Sequence, residues 1–304
     1  MIKSITVTNY IGERIKLELA RPDLSGFAVL SVTGIGPGKA ELNISESALQ
    51  DGGRCTSSRL PSRNIVINLM YLWGHGIEEG RHKSYKYFPL KKPVTLVFET
   101  DTREASITGI VESNEPAVFS STEYTSISIL CPDPHFYSTE YDGLQTVLFS
   151  GITPMFEFPF GDETLFEMSS IVHQAVNNVF YEGDAEVGMT ITLHLTASVN
   201  AITLANLNTN EVMTIDGLKF KTSTGSGFLA GDDIVICTID RKKSAYLTRY
   251  GDNHNILKCV DRNSDWFKLR NGDNVFAYTY SPSPSDGSNN VQVKMEYPVV
   301  YEGV

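Results

Sequence analysis

The first nineteen residues, MIKSITVTNYIGERIKLEL (Met1–Leu19), decide the reading of this chain. Ile5, Val7 and Asn9 oppose Thr6 and Thr8, and after the punctuation of Asn9–Gly12, Ile15, Leu17 and Leu19 oppose Lys16 and Glu18. A period of two places each apolar set on one face of a strand. The pattern continues outward. Phe27–Val32 and Ile65–Trp73 read as further strands, divided by the loop GIGPG (Gly34–Gly38) and by Asp51-Gly52-Gly53, whose glycines suit a hairpin turn. Gly74–Tyr85 reads as a polar loop or a short helix ending near Arg81. Tyr85–Phe88, Val94–Glu99, Ala105–Glu112 and Thr125–Leu130 are expected as strands, with breaks at Lys91–Pro93, Asp101–Arg103 and Asn114–Pro116. Cys131-Pro132-Asp133-Pro134 stops regular structure, because two prolines so close cannot sit inside a sheet.

The second half has the same style without repeating the sequence. Strands are expected at Gln145–Ser150, Met155–Phe160, Ile171–Phe180, Gly188–Thr196, Ala201–Leu207, Glu211–Ile215, Leu218–Thr222, Ile234–Thr238, Ser244–Thr248, Val275–Tyr280 and Val291–Val299. Asp216-Gly217 between MTI and LKF signals a two-residue hairpin. Thr164–Gln174 is the one helix candidate, and SPSPSDGSNN (Ser281–Asn290) is turn-rich. Short strands at this spacing indicate an all-β chain built as a sandwich or jelly roll. At 304 residues two domains are expected: 1–137, a linker at 138–145, and 146–304.

Charge narrows the function. Through Tyr137 there are 14 basic and 15 acidic residues; the remainder has 11 and 21. Such an acidic half does not displace the counterions of a nucleic acid. Cys55, Cys131, Cys237 and Cys259 form no C-x-x-C pair, so neither a zinc site nor a disulfide framework is indicated; buried, reduced thiols are expected. The N-terminus lacks the apolar segment of a signal peptide, and no apolar run approaches the roughly 18 residues of a membrane span. A soluble protein made in the cytoplasm is expected, without membrane insertion.

No catalytic pattern emerges. GIGPGK (Gly34–Lys39) has Thr33 where a phosphate loop needs its first glycine and Ala40 where it needs Ser or Thr. His75, His82, His135, His173, His194 and His254 make no H-x-H or H-x-x-x-H pair. Gly225-Ser226-Gly227 is not a nucleophile elbow. Acidic clusters such as Glu78-Glu79 and Asp232-Asp233 could suggest a glycosidase pair, and Trp266, Phe267, Tyr278 and Tyr280 a sugar-stacking platform; adjacent acids on a loop are usually just solvated, and aromatics around a turn usually pack. Catalytic, cofactor-binding and metal residues are therefore none, no cofactor is expected, and the chain reads as a non-enzyme.

Several segments carry a resemblance: SYKYFPLKKPVTLVFETDTREASITGIVESNEPAVFS (Ser84–Ser120), SISILCPDPHFY (Ser126–Tyr137), EGDAEVG (Glu182–Gly188), ICTIDRKKSAYL (Ile236–Leu247), SDWFKLRNGDNVFAY (Ser264–Tyr278) and the closing YEGV (Tyr301–Val304). In order and spacing they resemble the distal tail protein (Dit) family of long non-contractile-tailed phages. The chain departs from it at Asp240-Arg241, where relatives often carry a glycine before the lysine; this changes a turn, not a role. The resemblance implies an N-terminal domain forming a hexameric, sometimes stacked, ring and a C-terminal galectin-like β-sandwich. It implies a structural hub of a phage or prophage tail tip, located in the virion. Its partners would be further copies of itself, the tail tube protein, the tail-associated (Tal) tip protein and receptor-binding proteins, with DNA passing the lumen without specific binding. The alternative is a carbohydrate-binding adhesion protein with a β-sandwich lectin domain.

Overall fold

The computed structural model describes residues 1–46, 51–72, 76–117, 119, 122–154, 169–173, 176–281 and 290–304. In chain order these form β1 (Ser4–Thr8), β2 (Arg14–Glu18), β3 (Phe27–Thr33), β4 (Glu41–Glu46), β5 (Gly53–Arg59), β6 (Arg63–Tyr71), α1 (Ile77–Tyr87), β7 (Pro93–Glu99), β8 (Glu104–Ala117), β9 (Tyr124–Cys131) and β10 (Phe136–Ser138). Then come β11 (Gln145–Leu148), β12 (Ser150–Pro154), β13 (Ser169–His173), β14 (Val176–Tyr181), β15 (Thr190–Leu195), β16 (Ala201–Asn206), β17 (Glu211–Asp216) and α2 (Gly217–Thr224). The last are β18 (Asp233–Cys237), β19 (Ser244–Arg249), β20 (Asp252–Asn255), β21 (Gly272–Ser281), β22 (Val291–Tyr297) and β23 (Val300–Tyr301).

Contacts divide the chain into two units, Met1–Gly143 with Val300–Val304, and Leu144–Val299. The second domain expected at 146–304 is thus shortened: its last five residues belong to the first unit. Nor is 138–145 plain linker, since it holds the end of β10, a single 3-10 turn at Glu140–Gly143 and the start of β11.

In the first unit a sheet runs β2-β1-β7-β8-β9-β6-β3, with β10 pairing both β8 and β23. The alternation of the N-terminus becomes rows of core residues. Leu17, Ile5 and Phe98 lie opposite one another across three strands, as do Ile15, Val7 and Leu96, all buried. Each such side chain contributes about 1.5–3 kcal/mol on leaving water. Helix α1 corrects the strand expected at Tyr85–Phe88. Glu78 in its first turn pairs with Arg81 (2.6 Å) and His82 (3.1 Å), Lys86 lies in its last turn, and no β-branched residue follows Ile77. Gly80 lets the helix lie on the Tyr71 ring, where a Cβ would come within 3.0 Å. The break expected at Asn114–Pro116 is absent, because β8 absorbs it through a register shift between Val111 and Ser113.

In the second unit a six-stranded sheet, β11-β22-β15-β18-β19-β20, and a four-stranded one, β14-β21-β16-β17, form a sandwich. Tyr181 meets Tyr297 edge-on at 5.9 Å, and Tyr278 Oη donates to the Val291 carbonyl (3.3 Å), joining the inner faces. The strand expected at Leu218–Thr222 is corrected to α2. Asp216 accepts from Leu218 N (2.9 Å) as an N-cap, and Gly225 closes the helix at φ +83°. Gly217 is needed for close approach to Phe228 rather than for a hairpin turn. Where it is described, the helix candidate Thr164–Gln174 is strand β13, and Met155–Phe160 lies outside the described residues. Among the described residues no helix is long and apolar enough to cross a membrane.

The chain end is held by Arg63, which is buried at the start of β6. Its Nε donates to the Pro134 carbonyl (2.7 Å), Nη1 to Gly34 (2.8 Å) and Gly36 (2.5 Å), and Nη2 to Glu302 (2.7 Å). The guanidinium also lies 4.8 Å from the centre of the Phe136 ring. Beside it Val304 N donates to Ile35 O (3.1 Å), and β23 pairs β10 through Phe136–Tyr301 and Tyr137–Val300. Hydrogen bonds from a charged donor are worth about 1.5–3 kcal/mol each, and the abandoned carbonyls carry a further cost. Arg63→Met is therefore expected to destabilise the protein by about 3 kcal/mol or more, read as an earlier urea midpoint by near-UV circular dichroism. An unchanged midpoint would show that the clamp does not stabilise the fold.

Candidate assembly surfaces

The residues that carried chemical suspicion are used structurally. The GIGPGK loop turns carbonyls toward a cation: Gly34 and Gly36 accept from Arg63. A phosphate cradle requires the opposite, converging N–H groups. Gly34 is at φ +82°, and a Cβ there would collide with the Asn64 carbonyl. Asp232 is buried and paired in a two-pronged contact with Arg249 (2.7 and 2.6 Å), which also donates to Ser226 Oγ (2.8 Å) and the Gly227 carbonyl (2.7 Å). That clamp consumes both the acid of the Asp232-Asp233 pair and the serine of Gly225-Ser226-Gly227.

Among the described residues no three His, Cys, Asp or Glu converge on a possible metal position. His194 pairs with Asp233 (2.7 Å), and His254 packs edge-on against Phe220 at 6.0 Å; His75 lies outside the described residues. The four suspected stacking aromatics do not form a platform. Phe267 is buried against Phe276 at 5.6 Å, Tyr278 packs on Phe149 at 5.9 Å, and Trp266 stands apart beneath Lys243. The expectation of four buried thiols is corrected: Cys131 and Cys259 are buried, Cys237 is half-buried and Cys55 is exposed. Burial pushes the Cys131 thiol up to about 11.

What remains is surface. Among the described residues strands β4 and β5 pair only with each other, and every residue of both is exposed. Asn43 Nδ2 donates to Ser57 Oγ (2.8 Å), Thr56 Oγ1 to the Asn43 carbonyl (3.0 Å) and Arg59 Nε to Glu41 (2.8 Å). Leu42 and Ile44, on one face of β4, are 55% and 58% exposed. A two-stranded hairpin without a core behind it is marginal in water, and its backbone edges are open to pairing. Neither strand is expected from the sequence. The Leu42–Ile44 alternation was the available signal, but its period is too short to stand out. At the sheet's own margin β3 carries a register shift between Val29 and Ser31, with Leu30 half exposed.

Residues 182–301 match the family model for the siphovirus-type tail component, C-terminal domain. This part of the chain is similar to that family. The tail-component match begins just beyond β14 and runs through β23, so it includes the strand returned to the first unit. Over its whole length the chain has the fold of the SPP1 Dit (gp 19.1) protein, described as a paradigm of hub adsorption apparatus in phages infecting Gram-positive bacteria. The TM-score is 0.59 at 15% identity, covering 97% of this chain and 98% of that one. The phage P2 baseplate in its activated conformation with Ca also matches, at TM-score 0.42 and 11% identity over 97% of this chain and 98% of that chain. No curated protein matches the chain. The resemblance to the distal tail proteins is thus shown.

The double-proline corner carries the most perturbed carboxylate. Burial pushes Asp133 upward, but His135 N and Nδ1 (both 3.1 Å) and Tyr137 Oη (2.7 Å) outweigh it and hold the carboxyl at about 2. A lowered carboxylate stabilises the fold above its unfolded value near ~3.9 and loses that contribution as pH falls through the folded one. The side chain is half exposed, so screening limits the effect to about 1 kcal/mol. Asp133→Asn is expected to lower the urea midpoint from neutral pH down to about pH 5, with the difference closing toward pH 2. A difference that widens in acid would contradict the assignment.

Proposed function

We propose that this chain is a ring-forming hub subunit at the tail tip of a long-tailed phage or prophage, structural rather than catalytic. The carrying observation is the full-length likeness to a phage hub protein, joined to a tail-component match in the second unit. In this reading the first unit assembles as a homohexamer. The ring joins the end of the tail tube to the tail-associated tip protein and to receptor-binding proteins. The second unit, a galectin-like sandwich that folds as a separate domain, presents an acidic surface to those partners. The near balance of 14 basic and 15 acidic residues through Tyr137 gives the ring-forming half no cationic excess with which to grip DNA.

The exposed hairpin β4–β5 is the element that recruits the neighbour. Its occupant is a second copy of the chain, because repetition around a cyclic ring satisfies every arm at once and leaves none bare. Two open edges and the apolar pair Leu42–Ile44 then leave water together.

Light-scattering mass and negative-stain images test this. The intact protein is expected to form hexamers at high concentration or with its tail partners. Replacing residues 41–59 by a short Gly-Ser linker is expected to leave thermal unfolding nearly unchanged, since every described residue of that stretch is exposed, while abolishing rings. A monomer at every concentration and in the presence of tail proteins would overturn the hub reading. Rings that persist without the arm would overturn only its role.

A further inference from the structure

Among the described residues five buried side-chain nitrogen or oxygen atoms lack a hydrogen-bond partner: Tyr71 Oη, Arg81 Nε, Asn114 Nδ2, Glu123 Oε2 and Asn206 Nδ2. The first four converge on one place, the seat of α1. Tyr71 N donates to the Glu123 carbonyl (3.1 Å), one step beyond the Met70–Tyr124 pair, so the two side chains stand side by side on the inner face. Thr125, next on that face, donates from Oγ1 to Asn114 Oδ1 (2.6 Å) and leaves the Asn114 amide nitrogen buried beside it. Arg81 follows Gly80, which lies on the Tyr71 ring, and α1 packs against β6 and β8. Burial pushes the Tyr71 phenol up, with Ser84 and Thr125 acting against it. Neither has a proton to give it, because Ser84 Oγ donates to the Arg81 carbonyl (2.7 Å) and Thr125 Oγ1 to Asn114.

A buried polar atom without a partner opposes its own burial, so this seat favours hydration over dry contact. The helix sets little apolar surface against that. Of its eleven residues only Gly80 and Ser84 are buried, and Gly76 gives it no side-chain cap. A helix this short does not hold in water by itself. Its C-terminal half is tied to its surroundings. Lys83 Nζ donates to Ser25 O (2.9 Å), Lys86 Nζ pairs with Glu13 (2.8 Å), and Asn9 Nδ2 donates to Lys86 O (3.1 Å). Toward the N-terminus the charged side chains meet within the helix, Arg81 and His82 both on Glu78.

We propose that α1 is a built-in flap. Its turns Ile77–Arg81 lift from the sheet about the anchored Lys83–Lys86 end, and water reaches Tyr71, Asn114 and Glu123 while the strands stay paired. Closed, the flap hides a carboxylate and a phenol; open, it presents them. The first unit thereby holds a segment that rearranges without unfolding its sheet. This device stands independently of ring formation.

Native-state hydrogen exchange of the intact protein, read by mass spectrometry, tests it. The amides of Gly80–Ser84 bond to carbonyls of the lifting turns, which fray once they leave the sheet. They are expected to exchange roughly 100-fold faster than the amides of β6 and β9 after correction for intrinsic rates. Tyr71→Phe keeps the ring against Gly80 and removes the unpaired hydroxyl, so it should slow exchange in α1 about fivefold. Glu123→Met should act in the same direction. Protection of α1 equal to that of β6 and β9 overturns the proposal. So does unchanged or faster exchange in Tyr71→Phe; faster exchange would mean that the hydroxyl holds the helix down through a bridging water. Neither result bears on hexamer formation, which light scattering reads separately.

Discussion

A guanidinium cannot leave water without replacing its hydration, and the first unit is arranged around that requirement at Arg63. Burial alone presses its proton affinity downward. The charge is accommodated because four backbone carbonyls converge on it, from Gly34, Gly36, Pro134 and Glu302. Three stretches far apart in sequence, a glycine loop, a proline corner and the chain end, thereby become one site. Each supplies carbonyls because none is regular secondary structure, whose carbonyls are already bonded. The glycines follow from the same demand: a Cβ at Gly34 would strike Asn64, and one at Gly303 would come within 2.9 Å of Ile35 O.

That convergence explains why the last strand leaves the second unit. Apolar alternation continues from Val291 to Val299, and nothing local announces a change. Tyr297 ends β22, Pro298 interrupts the ladder, and Val300–Tyr301 pair instead with β10. Tyr301 is covered by Arg103, 4.4 Å from its ring centre. A reader of sequence sees one strand there, because period-two patterning reports burial and not the sheet that provides it.

The same limit accounts for the other misreadings. Strands with a core behind them, such as β1, β2, β6 and β18, were legible from alternation. ELNISE and GRCTSSR have no core behind them, so β4 and β5 left only the Asp51–Gly53 turn as a trace. Asp216-Gly217 carries the chemistry of both a hairpin turn and a helix cap, and only the contact of Gly217 with Phe228 separates the two. Which residues stand together on a sheet face was not legible, because their alignment across strands exists only in the register.

Register also sets an outer face of the second unit. Across the four-stranded sheet Val176, Ala277, Ala205 and Val212 stand in one row, and the neighbouring Thr203 and Thr214 bond each other at 3.2 Å. Short aliphatic side chains and a satisfied hydroxyl pair leave this face few polar groups that demand water. They cost little to dehydrate, which is what a protein contact requires. The β17 margin of that sheet is covered: Val212 N donates to Asp265 (3.2 Å) and Thr214 N to Ser264 Oγ (3.0 Å). In the first unit, by contrast, every residue of the β4–β5 hairpin strands is exposed. The exposed hairpin of the first unit and the covered β17 margin of the second thus differ in what they leave open to strand pairing.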